Sequence, residues 1–499
     1  MELMFDTKSL AFWELISRKL LTQEETAELI VPDSFPDMER IVDSWAQILL
    51  RSKECRAGSI HVSGSVQAGL LFVAEGEQQP RRMECSIPFS MKLEDDALTQ
   101  NSFAEYSGWI KSVNARMLNS RKAMMRVELC SDLSAWEKTT MQIPMLKEQT
   151  QDLQLRTNRY NVLRTMDLVE RSITIKEEAE VPQGLPNLHT ALDWTASMRV
   201  HECKAIGSRV AFRGELNVQV LYQAEDGSLN QCSLSIPVTQ YVEMNRDVEG
   251  MIPSVRLCTT GRDLQIGEGG RRLYINLALL CQTRADNYEQ MELLEDLYST
   301  KDHIVPNWVQ IPVKAYLDQR VLQQQLRKTV SAPAEQVERV QVFCEAPQQT
   351  RKGEEVVFTL PLRVQLLIRD ASDALQEANE RLNVEFSLNG SENCSYYTTA
   401  AVSDVYAAPV SGGVEVRCNA MLSVDTLREQ SLDCVSAAQR VVQEKEKERP
   451  TMIVCRMEEG QSLWSVAKGC SASVAELMEV NHLQEEEVLS GTLLLIPLH

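Results

Sequence analysis

No stretch of the 499-residue chain approaches the roughly 18 consecutive apolar residues that a membrane-spanning helix needs, which excludes insertion by helices. Basic residues are in deficit: 51 Lys and Arg stand against 71 Asp and Glu, a net charge of −20. Such an excess repels phosphate backbones and anionic lipid, so nucleic acid is excluded as a partner. Histidine is scarce, with six residues at 61, 189, 201, 303, 482 and 499 and no His-Glu-x-x-His spacing. There is no Gly-x-x-x-x-Gly-Lys-Ser/Thr loop and no Gly-x-Ser-x-Gly elbow. The 13 cysteines are odd in number and scattered, and none forms a Cys-x-x-Cys pair. A disulfide framework or a zinc site needs closer, paired spacing, so the expectation is buried thiols in a reducing compartment. Met1 to Leu21 interrupts its apolar residues with Glu2, Asp6, Lys8 and Glu14 and lacks a small-residue cleavage site, so no signal peptide is expected. Run against the requirements of an active site, these absences predict a non-enzymatic protein with no cofactor and no metal.

What the chain does contain is a repeat. Val31-Pro32-Asp33-Ser34-Phe35-Pro36-Asp37-Met38 finds a partner in Val181-Pro182-Gln183-Gly184-Leu185-Pro186-Asn187-Leu188, an offset of 150. The same offset links Asp43 to Asp193, Gly64 to Gly214 and Phe72 to Tyr222. Within the copies the apolar period is two. Leu192, Trp194, Ala196, Met198 and Val200 alternate with polar residues, and so do Phe212, Gly214, Leu216, Val218, Val220 and Tyr222. That period reads as half-buried β-strands. A third copy keeps the phase at Phe358, Leu360, Leu362, Val364, Leu366 and Ile368, 146 residues on from the second, with Leu360 where the others have glycine. Hairpin turns follow at Glu75-Gly76, Asp226-Gly227 and Asp370 to Ser372. Return strands are expected to end at Ile87-Pro88 and Ile236-Pro237, where proline suits a strand end or an edge.

Between the copies lie polar stretches. Glu289 to Leu297 and Leu317 to Arg327 read as short helices. Gly267-Glu268-Gly269-Gly270 reads as a hairpin turn rather than a phosphate cradle. Glu444 to Arg449 alternates in charge as a solvated helix or linker, stopped by Pro450. The predicted fold is mainly β: an N-terminal segment 1–27, three tandem antiparallel β-rich units (28–150, 151–300 and 301–435, the latter two with their linkers), a charged linker 436–450 and a small α+β domain at 451–499.

That last domain reads as strand, helix, helix, strand. Ile453-Val454-Cys455 begins it, and Ser462 is placed to cap a helix striped by Leu463, Val466 and Ala467. Val474, Leu477 and Met478 stripe a second helix that ends at Asn481, and Leu493 to Ile496 closes the domain. From residue 451 it carries two basic and seven acidic residues, which suits a partner with a basic patch.

Three sets of residues here resemble the LysM domain: Gly460-x-x-Leu463-Trp464-x-x-Ala467, Leu477-x-x-x-Asn481-x-Leu483 and Leu489-x-Gly491-x-x-Leu494-x-Ile496-Pro497. Gln461-Ser462 replaces the usual Asp-Thr, and Cys470 stands where an aromatic is common. The resemblance implies a ligand groove between two loops, Gly460, Gln461, Ser462, Leu463 and Trp464 on one side and Asn481, His482, Leu483 and Gln484 on the other. The β-units resemble the SPOCS domain of spore-coat and spore-envelope proteins of endospore-forming Firmicutes. The residues that carry this are Ile30 to Met38, Gly64 with its strand, Ile87-Pro88-Phe89, Leu221-Tyr222 and Asp296-Leu297-Tyr298-Ser299. The resemblance implies a scaffold of spore-coat assembly in the mother-cell cytoplasm, at the forespore surface. Its LysM module would bind the stage IV sporulation ATPase of the coat basement layer, and its β-units other coat proteins. The alternative is a peptidoglycan (N-acetyl sugar) binding protein of the cell wall or spore cortex.

Overall fold

In the computed structural model, residues 2–147, 150–391, 393–442, 451–485 and 489–497 are described, apart from the side chains of 314–316. Among the described residues the chain is mainly β, with several antiparallel sheets and two short α-helices. One pattern of strands occurs three times. The first unit runs β1 (Phe5–Ile30), β2 (Met38–Arg56), β3 (Ser59–Ala74), β4 (Pro80–Glu94), β5 (Phe103–Asn119) and β6 (Lys122–Leu146). The second runs β7 (Leu153–Glu180), β8 (Leu188–Ile206), β9 (Arg209–Ala224), β10 (Leu229–Glu243), β11 (Ile252–Ile266) and β12 (Arg272–Ser299). The third runs β13 (His303–Val330), β14 (Gln336–Cys344), β15 (Gln348–Lys352), β16 (Glu355–Arg369), β17 (Leu375–Asn389), β18 (Cys394–Val410) and β19 (Gly413–Val441).

In each unit the first and last strands are long and pair antiparallel along their lengths, from Phe5↔Leu146 to Ile30↔Lys122 in the first. The strands that follow the first form a meander, β2-β3-β4, β8-β9-β10 or β14/β15-β16-β17, and the next (β5, β11 or β18) pairs with the last long strand. One apolar face of the meander covers one face of the long-strand sheet, and the alternating residues of both make the core. In the second unit that core joins Leu216, Val218, Val220 and Tyr222 of β9 to Ile275, Leu277 and Leu279 of β12.

The long strands change the reading of the connecting segments. Residues 5–27, outside the first copy of the repeat, run along β1 and pair with β6. Glu289 to Leu297 and Leu317 to Arg327 are not helices but parts of β12 and β13. The bulge between Leu294 and Asp296 explains the first, because it turns both Leu294 and Leu297 inward and so imitates a helical spacing. The second has a bulge between Tyr316 and Asp318, with Leu322 and Leu326 against the core while Leu317 and Val321 stay exposed. The return strands β4 and β10 run past Pro88 and Pro237. Each is the outer strand of its meander, where a missing N–H costs no ladder bond. Gly267 to Gly270 forms the turn between β11 and β12. The charged stretch 444–449 and Pro450 lie outside the described residues.

The proline segments have a definite holder. Arg121, in the turn between β5 and β6, donates to the carbonyls of Val31 (3.0 Å), Pro32 (3.1 Å) and Phe35 (2.8 Å). Arg271 does the same for Val181, Pro182 and Leu185 in the second unit. The third unit has Gly412 in that turn, and its segment, Ser331 to Glu335, is shorter.

The three meanders close a ring. The Arg82 guanidinium of β4 reaches the Ala191 carbonyl of β8 at 3.1 Å, β10 packs on β14, and Arg40 of β2 reaches the Leu375 carbonyl of β17. At the centre, Leu71, Leu221 and Leu367, at equivalent places in the three copies, share one apolar cluster with Val42, Leu192 and Leu375. Beside them lie Asp43, Asp193 and Arg339, each following a bulge in the first meander strand of its unit and each at most 2% exposed. Arg339 donates Nη1 to Asp193 Oδ2 at 2.6 Å and Nη2 to Asp43 Oδ2. Gln365 adds a bond to Asp43 Oδ1 at 3.0 Å.

Candidate functional site

The C-terminal module consists of β20 (Met452–Arg456), α1 (Leu463–Cys470), α2 (Val474–Val480) and β21 (Leu493–Pro497), with β20 and β21 paired antiparallel. Ser462 caps α1: its side chain accepts from the Ser465 amide at 3.1 Å, and Ser465 Oγ accepts from the Ser462 amide at 3.0 Å. Such a box satisfies two of the amides a helix start leaves free, and losing a cap typically costs about 1 kcal/mol. Leu463, Val466, Ala467, Val474 and Leu477 meet Leu494 and Ile496 in a core that also takes in Tyr298 from the end of β12.

The residues expected to line a groove have separate duties. Gly460 makes the turn, at φ +80°, where a side chain is strained. Gln461 is exposed and exchanges hydrogen bonds with Glu458. Leu463 is core, at 1% exposure. Trp464 turns toward the second unit, donating Nε1 to Asp296 Oδ2 at 2.8 Å and meeting Tyr298 edge-on at 4.9 Å between ring centres. Asn481 pins α2 to β21: its amide donates to the Leu477 and Leu495 carbonyls, and its Oδ1 accepts from the Leu495 amide at 2.7 Å. Leu483 packs on the module core, while His482, in the left-handed region at φ +55°, and Gln484 are exposed.

The contact through Trp464 is larger than that residue. Lys468 Nζ lies 2.6 and 2.8 Å from the two Asp296 oxygens, and the Tyr298 hydroxyl donates to the Ala472 carbonyl at 2.7 Å. Burial pushes the Tyr298 phenol far above its ordinary range, so it stays a donor. The module is therefore docked by α1 onto the end of β12. Asp296, Tyr298 and Lys468 were not among the expected site residues. The available signal was the Asp296-Leu297-Tyr298-Ser299 motif, whose acid and phenol point at the module.

What the docked module leaves to solvent is the outer face of its two-stranded sheet. Val454 and Leu495 are opposite one another there, flanked by Met452 and Leu493, with Leu489 just before β21. Val454 is 63% and Leu493 66% exposed. Elsewhere the chemistry is quiet. All 13 cysteines are unpaired, and burial pushes the Cys258 thiol to about 11 and Cys344 to about 12, which keeps both protonated and poorly nucleophilic. Among the described residues no group of three or more His, Cys, Asp or Glu is placed to hold a metal, and no helix is long and apolar enough to cross a membrane.

Residues 188–258 match the family described as SipL, SPOCS domain. They cover the meander β8-β9-β10 and the first half of β11. No curated protein and no solved structure matches the chain.

Proposed function

We propose that this chain is a non-enzymatic sporulation protein that assembles the spore coat by binding. The observation that carries this reading is the SPOCS match within the second of three units built on one plan. In the proposal the C-terminal module is a LysM domain. It captures the stage IV sporulation ATPase of the coat basement layer at the forespore surface, in the mother-cell cytoplasm, while the β-units present surfaces to other coat proteins. The outer face of β20 and β21 supports a protein ligand, since its exposed apolar side chains suit an apolar patch on a partner. The engagement of Trp464 with Asp296 and Tyr298 weighs against a sugar stacked on that ring.

The test is direct binding of the full chain to the ATPase by calorimetry, beside chitin oligomers and peptidoglycan fragments. Val454→Glu with Leu495→Glu is expected to weaken ATPase binding at least about tenfold, a loss of about 1.4 kcal/mol. Undiminished binding by the folded double variant rejects the sheet face. Tight sugar binding without ATPase binding rejects the proposal as a whole. A fluorescent fusion that reaches the forespore surface only when residues 451–499 are present adds the cellular readout.

A further inference from the structure

In the first two units one guanidinium ties down the segment that leads into the meander. That segment spans residues 31–37 and 181–187, against the shorter 331–335 in the third unit. Arg121 also takes a carboxylate: Oδ1 of Asp37, the last residue before β2, lies 3.2 Å from its Nη1. Phe35 and Leu185 pack on the cores of their units. In the third unit Ser411-Gly412 makes the turn, so no guanidinium reaches the segment from there. Ser331-Ala332-Pro333-Ala334 brings nothing larger than proline. The acid alone has a counterpart, because Glu335 is the last residue before β14 as Asp37 is before β2.

In place of the arginine and the large apolar side chain stands a cleft of about 530 Å³, walled by this segment, by Ala371 and Val410, and by Gly412 and Gly413. Glu335 is the one charged residue lining it, exposed and in no ion pair among the described residues. No side chain among the described residues donates to the carbonyls of Ser331 to Ala334. Arg369, two residues before Ala371, is already held by Glu338 and Asp373. Backbone acceptors and one carboxylate beside small apolar side chains call for a cation with several N–H donors. The rigid five-donor fork of arginine suits them better than the compact point charge of lysine. The cleft is larger than a guanidinium fills and has the size of a ligand site, about 300–1,000 Å³. It has room for a neighbouring side chain as well, so the arginine fits it as part of a polypeptide.

We propose that this cleft is a socket for an arginine of a partner protein, seated with an adjoining apolar side chain. The guanidinium takes the carbonyls of the segment and the Glu335 carboxylate, as Arg121 takes those of Val31, Pro32, Phe35 and Asp37. The third unit accepts from outside what the first two supply from within. The socket rests on the scaffold reading only for the kind of protein that brings the arginine. It does not involve the C-terminal module, and a test with peptides fails or succeeds separately from that reading.

The full chain, labelled at its alanine methyls, is titrated by NMR with acetyl-Leu-Arg-Leu-amide and with the same peptide carrying citrulline, which keeps the shape and loses the charge. The arginine peptide should shift the signals of Ala332, Ala334 and Ala371 to saturation, and the citrulline peptide should bind at least about tenfold more weakly. Glu335→Gln, at an exposed position, should weaken the arginine peptide about threefold. Equal binding of the two peptides overturns the proposal, as the mark of an apolar groove alone. So do shifts that spare these three methyls, the absence of any saturable shift, and undiminished affinity in the folded Glu335→Gln variant. Where the variant does not fold, the two peptides decide on the unaltered chain.

Discussion

Asp43, Asp193 and Arg339 occupy the same place in three copies of one unit, and the third copy answers the negative charge of the other two. Removing the cation leaves two buried carboxylates without their ion-pair partner. Arg339→Met is expected to cost about 3–5 kcal/mol in urea unfolding, and pairing it with Asp43→Leu and Asp193→Leu to recover most of that loss. The site also has a pH signature. Burial outweighs the pull of Arg339 and raises the Asp43 carboxyl from 3.8 to about 7. Between those two values the folded chain binds this proton more tightly than the unfolded chain, so the stability it contributes declines as pH rises from about 4 to about 7 and is flat above. The unfolding midpoint of the wild type relative to Asp43→Asn should fall between pH 4.5 and pH 8. A constant difference would show that Asp43 is charged throughout.

Single residues also shape whole elements. A Cβ on Gly64 would come within 2.4 Å of the Leu49 carbonyl, and one on Gly214 within 2.0 Å of the Arg199 carbonyl, so the neighbouring strand passes close only because the side chain is absent. The third copy has Leu360 there, fully buried, and opposite it the neighbouring strand is interrupted between β14 and β15 at Glu345 to Pro347. The substitution and the break are one event: the leucine takes the room the strand would need. The docking of the module is likewise an affair of two elements. Asp296→Ala removes the acceptor of both Trp464 and Lys468 and should weaken the seat of α1 on β12 by about 1–3 kcal/mol. Hydrogen exchange is then expected to rise in α1 and at the end of β12 while β20 and β21 stay protected. Unchanged exchange in α1 would mean that apolar contact with Tyr298 suffices.

At the scale of the molecule, a head-to-tail ring of three units closes on itself and leaves no meander without a neighbour. A chain cut after residue 300 retains Asp43, Asp193, Leu71 and Leu221 but loses Arg339 and Leu367. It is expected to associate or bind a hydrophobic dye, as read by size-exclusion chromatography and fluorescence. A well-behaved monomer of two units would show that the ring is incidental to folding.

The repeat, its meanders and the strand–helix–helix–strand plan of the last 49 residues were legible in the sequence, because apolar alternation and turn residues are local and the same pattern returned at a constant offset. Asp43 and Asp193 were visible as a matched pair, yet nothing local told that they were buried. Their partner Arg339 comes 146 residues after the second and is of opposite charge, so no repeat search aligns it as a match. The strand at Leu273 to Leu280 was legible, but the rest of β12 and the long strands β7 and β13 were hidden by bulges that blur a period of two. The seat of Trp464 on Asp296 joins residues 168 positions apart. Local periodicity determined which segments are strands of a repeated unit. Only the tertiary structure decided which charges meet at the centre of the ring and which side of the module is covered, because both join residues far apart in the chain.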